Sequence, residues 1–196
     1  GVPVESALCQ RLNSAGEIIE KMGRVGVEKK FDGSRAQIHF LAGKNGFMRA
    51  FTRNLEESSH QFPELMEMDK LVNAKSLILD SEAVGVDLKT GKMLPFQETI
   101  TRKRKHEIAE AADKVPLRFF VFDILYKDGK SLIDKTYEER RKILTGTIRK
   151  NKALMVDEVV ITEKVDEVHG LHENFLKEGL EGAVIKKMDG KYLPGR

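Results

Sequence analysis

Between positions 35 and 40, Ala36, Ile38 and Phe40 interleave with Arg35, Gln37 and His39. That period-two pattern predicts a strand with one buried face. Asn45-Gly46 is a strong hairpin signal, and 47–51 returns as the partner strand. Residues 77–86 make a strand long enough to cross a core, and 117–125, rich in Phe and Val, is the most apolar strand in the chain. Further strands are expected at 156–161 and 181–187. Helices are expected after Ser14, where Glu17 completes a capping signature and Ile18, Ile19 and Met22 form a stripe ending at Gly23, and again from Pro63 through Leu65, Met66, Met68 and Leu71. Three more follow, from about 107 to 114, from the Thr136/Glu139 cap to about 150, and from 166 to 178 with Gly179 as the stop. Residues 1–11 show no period and read as an extended lead-in. The mixture predicts an α+β architecture: two antiparallel sheets with flanking helices, forming two lobes around a cleft, with no lobe boundary marked by the pattern.

Composition narrows the class. A chain of 196 residues suffices for one large domain or two small lobes, and 40% hydrophobic with 33% charged residues is the balance of a soluble globular protein. No run of eighteen apolar residues and no signal-peptide pattern occurs, so an intracellular protein without a membrane partner is expected. The single Cys9 cannot form an intrachain disulfide, and the scattered histidines, of which only His169 and His172 lie one helical turn apart, do not spell a zinc site. The net charge of +3 is mild. Its concentration at Arg102-Lys103-Arg104-Lys105-His106 fits a solvated loop, a nuclear-targeting run or a surface that neutralises phosphates.

The densest chemistry lies in Glu28-Lys29-Lys30-Phe31-Asp32-Gly33-Ser34-Arg35. On a strand, Glu28 and Lys30 share a face and Lys29 points away, which makes Lys30 the candidate nucleophile. A lysine gains nucleophilicity when burial or neighbouring positive charge lowers its pKa, and Arg35 or a bound metal would supply that charge. The plain alternative is an ordinary strand and turn with a solvated Lys-Arg pair. A chance Lys-x-Asp-Gly-x-Arg match in such a chain falls below about one in a hundred, which gives the functional reading weight. Glu82 is a second candidate, since an acid in an apolar strand is costly unless paired or facing a cleft. Phe120, Phe122 and Ile124 share one face of their strand. Glu181 and Lys186 fall on opposite faces of a regular strand, so a bulge, twist or edge is needed to bring both to one site.

In their order along the chain, Lys30 to Arg35, Phe51-Thr52-Arg53-Asn54-Leu55-Glu56, Leu79-Asp80-Ser81-Glu82, Phe120-Val121-Phe122-Asp123 and Glu181-Gly182-Ala183-Val184-Ile185-Lys186 resemble the nucleotidyltransferase motifs of ATP-dependent DNA ligases. The chain is similar, over nearly its whole length, to the adenylation domain of the archaeal and eukaryotic replicative-type enzymes, the archaeal ones more so. The resemblance implies a nucleotidyltransferase (ATP-grasp-like ligase) fold in which Lys30 attacks the α-phosphate of ATP to give lysyl-AMP. It implies nucleotide contacts from Glu28 (adenine amino group), Arg35, Arg53, Glu82 (ribose hydroxyls), Phe122 (adenine stacking) and Lys186, Mg²⁺ at Glu181 and Glu82, and DNA-backbone contacts from Arg102, Lys103, Arg104 and Lys105. Ser81 stands where the family often has glycine. The expected substrate is nicked double-stranded DNA, sealed in replication and repair, with a sliding clamp as a further partner. The expected location is the cytoplasm of a prokaryote, in association with the nucleoid, or the nucleus of a eukaryote. Tyr192-Leu193-Pro194-Gly195-Arg196 resembles the lead-in to a last motif, so residues 1–196 are expected to be an adenylation domain truncated before it, lacking the DNA-binding and oligonucleotide-binding-fold domains and poorly active alone. An RNA ligase or capping-type nucleotidyltransferase, and a non-catalytic nucleic-acid-binding module, are the alternative readings.

Overall fold

The computed structural model describes residues 2–87, 89–103 and 115–195, with 100–103 described by backbone alone. The strands are β1 (Val25–Lys29), β2 (Ser34–Leu41), β3 (Phe47–Phe51), β4 (Ser76–Gly85), β5 (Leu117–Lys127), β6 (Lys130–Ser131), β7 (Leu154–Val156), β8 (Val159–Thr162) and β9 (Ala183–Lys187). The α-helices are α1 (Ala15–Met22), α2 (Met68–Leu71), α3 (Phe96–Lys103), α4 (Tyr137–Thr147) and α5 (Val165–Lys177). They build two sheets. The larger has the order β3-β2-β4-β5-β6 with β7 added on β5, and the smaller has the order β8-β1-β9.

Each sheet has its own core. Ile38, Phe62, Leu65, Leu79, Phe119, Ile124 and Leu144 are among the side chains that fill the larger lobe. Val25, Val27, Val168 and Phe175 fill the smaller one, with the apolar stripe of α1 packed against them. Two short links carry the chain between the sheets: 30–33, joining β1 to β2, and 157–158, joining β7 to β8. Phe31 on the first link stacks on Phe120 of β5 with ring centroids 4.2 Å apart, so the lobes also meet through an aromatic pair.

The capping expectations translate directly. Ser14 accepts a hydrogen bond from the Glu17 N–H, and Thr136 with Glu139 forms a full capping box at α4. Four expectations need correction. The run 156–161 is two strands in different sheets, because Asp157 and Glu158 turn the chain from one lobe to the other. The helix after Pro63 is a single 3-10 turn (Pro63–Leu65) followed by the one-turn α2. The larger sheet is not wholly antiparallel, since β7 runs parallel to β5. Finally, Ile124 does not share a face with Phe120 and Phe122. Irregularities in the β4–β5 register, between Ile78 and Leu79 and between Asp80 and Ser81, shift the alternation, so Ile124 enters the core while Phe120 and Phe122 remain half-buried on the opposite side. The helix expected at 107–114 lies outside the described residues.

Candidate active site

The first link positions the site. The Lys30 N–H donates to the Gly182 carbonyl (3.0 Å) and the Glu181 N–H donates to the Lys30 carbonyl (3.1 Å), which extends the β1–β9 pairing one step beyond both strands. Gly33 then passes so close to β4 that a Cβ there would lie 2.6 Å from the Ala83 carbonyl oxygen and 2.9 Å from Glu82 Cγ. Glycine is required at this point by close approach.

A cleft of about 1070 Å³ opens between the lobes along this link. Glu28, Lys30, Arg35, Arg53, Glu82, Phe122, Glu181 and Lys186 all line it. The Lys30 ammonium is ion-paired with the Glu181 carboxylate, and both side chains are roughly half exposed. Parity is reconciled at Gly182, whose φ of +127° lies outside the strand range; β9 begins only at Ala183, so Glu181 turns toward Lys30 while Lys186 reaches the cleft floor from the regular strand. His172 of α5 packs against Gly182, leaving no room for a Cβ. Arg53 is exposed at the rim and has no ion pair among the described residues. Ser81 is fully buried and donates to the Ala36 carbonyl (2.7 Å), so its hydroxyl is satisfied within the sheet.

Three side chains are more engaged than their sequence context suggested. Glu28 is almost fully buried, with Lys186 Nζ 2.7 Å from one oxygen and the Tyr137 hydroxyl donating to the other. Burial, reinforced by the Glu28 charge, pushes the Tyr137 hydroxyl far above the usual tyrosine range, so it serves as a fixed donor. Lys186 Nζ also lies 4.6 Å from the centre of the Phe122 ring and 4.9 Å from that of Tyr137. Arg35, expected to lend positive charge to Lys30, is bound 2.5 Å from the buried Asp80 carboxylate, which offsets much of its field. Its guanidinium still sits 5.4 Å from the Phe122 ring.

Sequence reasoning missed the supports of this floor. Asp80 receives Arg35, the Gln37 side-chain amide (3.0 Å) and the Tyr192 hydroxyl (2.8 Å). The cost argument applied to Glu82 holds more strongly for Asp80, which lies two residues earlier on the same face of β4 and is fully buried. Arg140 grips Asp123 with two hydrogen bonds (2.8 and 3.0 Å), both side chains nearly sealed from solvent, and so fixes α4, which carries Tyr137, against β5.

Arg102 and Lys103 end α3, where only the backbone is described, and Arg104 and Lys105 lie outside the described residues. Among the described residues, no group of three or more acids, histidines or cysteines gathers to hold a metal. Glu82 and Glu181 nevertheless bring two carboxylates, the oxygen donors that Mg²⁺ prefers, to one cleft.

Two sheets joined by a link that carries a lysine, with acids, cations and an aromatic ring around one cleft, make up the nucleotidyltransferase class of fold. Residues 6–196 match the model of the ATP dependent DNA ligase domain, and the chain belongs to that family. It is 38% identical over 196 residues to a probable DNA ligase of Dictyoglomus turgidum and 39% identical over 198 residues to DNA ligase 2 of Korarchaeum cryptofilum, in each case across 100% of this chain and 33% of the relative. The chain thus spans about a third of the length of the curated relatives it matches. A mycobacterial DNA ligase D, complexed with ATP and MES, superposes with a TM-score of 0.71 at 24% identity, over 98% of this chain and 57% of that one; this likeness bears on the fold.

Proposed function

We propose that this domain is the adenylating core of an ATP-dependent DNA ligase. The observation that carries the reading is the convergence of Lys30, Glu82, Phe122, Glu181 and Lys186 on one cleft, in a chain of the ATP dependent DNA ligase domain family. Lys30 Nζ attacks the α-phosphorus of ATP; an N–P bond forms, the bond to the pyrophosphate oxygen breaks, and pyrophosphate leaves. The amine must shed a proton before it attacks, and Glu181, already in contact with it, is placed to accept or relay that proton. Glu82 holds the ribose, Phe122 stacks the adenine, and Arg53 and Lys186 face the phosphates, where developing charge needs cations. Glu181 and Glu82 would hold a Mg²⁺ ion, which would supply further neutralisation of phosphate charge.

AMP then passes to the 5′-phosphate of a nick, and the neighbouring 3′-hydroxyl displaces it. The basic run from Arg102 to Lys105 would meet the duplex backbone, working with further domains of a longer ligase and with a sliding clamp. The setting would be the prokaryotic cytoplasm, or the nucleus in a eukaryote.

The test is intact mass after incubation with ATP and Mg²⁺, with the modified residue mapped by peptide fragmentation. One AMP on Lys30, absent with GTP and absent in Lys30→Ala, is the expected result. An adduct on another residue, or nucleotide binding unaffected by changes at Glu82 and Phe122, would overturn the assignment.

A further inference from the structure

We propose that Arg141 is a positioning residue held in reserve for Glu28: when a nucleotide draws Lys186 toward its phosphates, Arg141 becomes the cation that keeps the Glu28 carboxylate charged and in place. This rests on reading the cleft as a nucleotide site.

Lys186 cannot serve two partners. It pairs with Glu28 at 2.7 Å and lies against the Phe122 ring, where a stacking base would have to go. A nucleotide seated on Phe122 displaces that ammonium, and its phosphates offer the ammonium a new partner. Glu28 is then left as a buried anion without its ion pair, a state proteins avoid because the lost solvation is not repaid.

Arg141 is built to meet that need. It lies on α4 one turn after Tyr137, and its side chain is about nine-tenths buried. Nη2 donates to the Asp157 carbonyl at 2.5 Å, but Nε and Nη1 have no acceptor among the described residues. Nη1 lies 3.8 Å from Glu28 Oε1, an ion-pair distance too long for a hydrogen bond. A movement of about 1 Å would convert it into one. Buried donors without partners are rare, and of these two Nη1 already lies within ion-pair reach of the Glu28 carboxylate, which is free to shift toward it once Lys186 no longer holds the other oxygen.

Among the described residues, no other neighbour can take the role. Tyr137 is a neutral donor, Asp157 contributes a carboxyl, Lys30 is paired with Glu181, and Arg140 is committed to Asp123. The sequence offered only a charged helix surface at 138–142, which reads as solvated; nothing in it distinguishes Arg141 from its neighbours.

The decisive readout is a proton count. ATP binding is measured by calorimetry at pH 7 in buffers of different ionisation enthalpy, for the wild type, Arg141→Gln and Arg141→Lys. Arg141→Gln should bind ATP roughly tenfold more weakly and take up roughly one more proton than the wild type, because Glu28 neutralises when Lys186 leaves. Arg141→Lys should follow the wild type, and adding Glu28→Gln to Arg141→Gln should abolish the extra uptake. Weaker binding with an unchanged proton count would mean that Arg141 only supports the fold, and would overturn the proposal. A second measurement needs neither nucleotide nor the loss of Arg141. In Lys186→Met, carbon-13 NMR of the glutamate carboxyls should find Glu28 still ionised at pH 7, held by Arg141, and a protonated Glu28 there would overturn the proposal. If the wild type bound no ATP, the nucleotide reading would fail, while the Lys186→Met result would still decide the role of Arg141.

Discussion

Asp157→Asn should change how stability depends on pH. Asp157 sits on the link between β7 and β8, almost sealed from solvent, with its N–H donated to the Val121 carbonyl at 2.8 Å. Burial, reinforced by the Glu28 charge, raises its carboxyl from 3.8 to about 8, against the opposing pull of Lys186 and Arg141. A folded-state pKa above the unfolded one means that the native protein binds the extra proton at intermediate pH. Its contribution is therefore fully present below about pH 4 and is lost as pH rises toward 8. Each pKa unit is worth about 1.4 kcal/mol, so between pH 5 and 9 the ceiling is on the order of 4 kcal/mol. Movement of Lys186 and Arg141 toward the new anion should bring the observed difference to about 2 kcal/mol. Asparagine keeps the shape and cannot ionise. Denaturant unfolding of both proteins at pH 5, 7 and 9 isolates the effect, because every other titrating group is shared. The variant should gain about 2 kcal/mol on the wild type between pH 5 and 9. Profiles that stay parallel across that range would show that the carboxyl titrates normally and would refute the reasoning.

Three further changes probe the frame. Arg140→Met strands the buried Asp123 carboxylate and should cost about 3–5 kcal/mol in denaturant unfolding, with part recovered when Asp123→Leu is added. Gly33→Ala forces a Cβ against the Ala83 carbonyl and Glu82; a loss of about 1–3 kcal/mol is expected, together with weaker ATP binding in an equilibrium titration, since Glu82 must move. Thr136→Ala removes the capping box of α4 and should cost about 1 kcal/mol while leaving ATP affinity near wild type, which separates general destabilisation from damage to the cleft.

The sequence pattern reached furthest where the signal is local. Ala36, Ile38 and Phe40 alternate because they face the core of the larger lobe, although the opposite face of β2 is buried too, with Gln37 and His39 nearly sealed from solvent. Ser14 and Thr136 cap helices through contacts within one turn. It failed where geometry depends on a distant partner. The β4–β5 irregularities belong to the pairing of two strands, and nothing in 117–125 alone says where the alternation slips. The break at Asp157-Glu158 separates apolar runs destined for different sheets, which a local window reads as one strand. The residues of the cleft were legible through motif and resemblance, but their pairings were not. Glu28 read as an open acceptor and is in fact held by Lys186 and Tyr137, each more than a hundred residues away in the chain.

That distance bears on why Lys30, the proposed nucleophile, stands on a link between sheets. The Lys30 backbone is pinned on both sides by hydrogen bonds to Glu181 and Gly182, while its side chain remains about half exposed. A lysine in the middle of β1 would be equally fixed at its backbone, but its amine would be committed to one lobe, as Lys29 is to Glu178 at 2.8 Å. On the link, the amine reaches a cleft whose walls come from both lobes, with Glu28 and Lys186 on one side and Glu82 and Phe122 on the other. A change in the relation of the lobes therefore alters the surroundings of the amine without breaking any backbone bond that holds it. Phe31, next in the chain, stacks on Phe120 and registers the same relation. Lys30 and the lobe contact Phe31 are thus adjacent residues, so on the proposed reading any change in how the lobes meet is felt next to the amine that would attack.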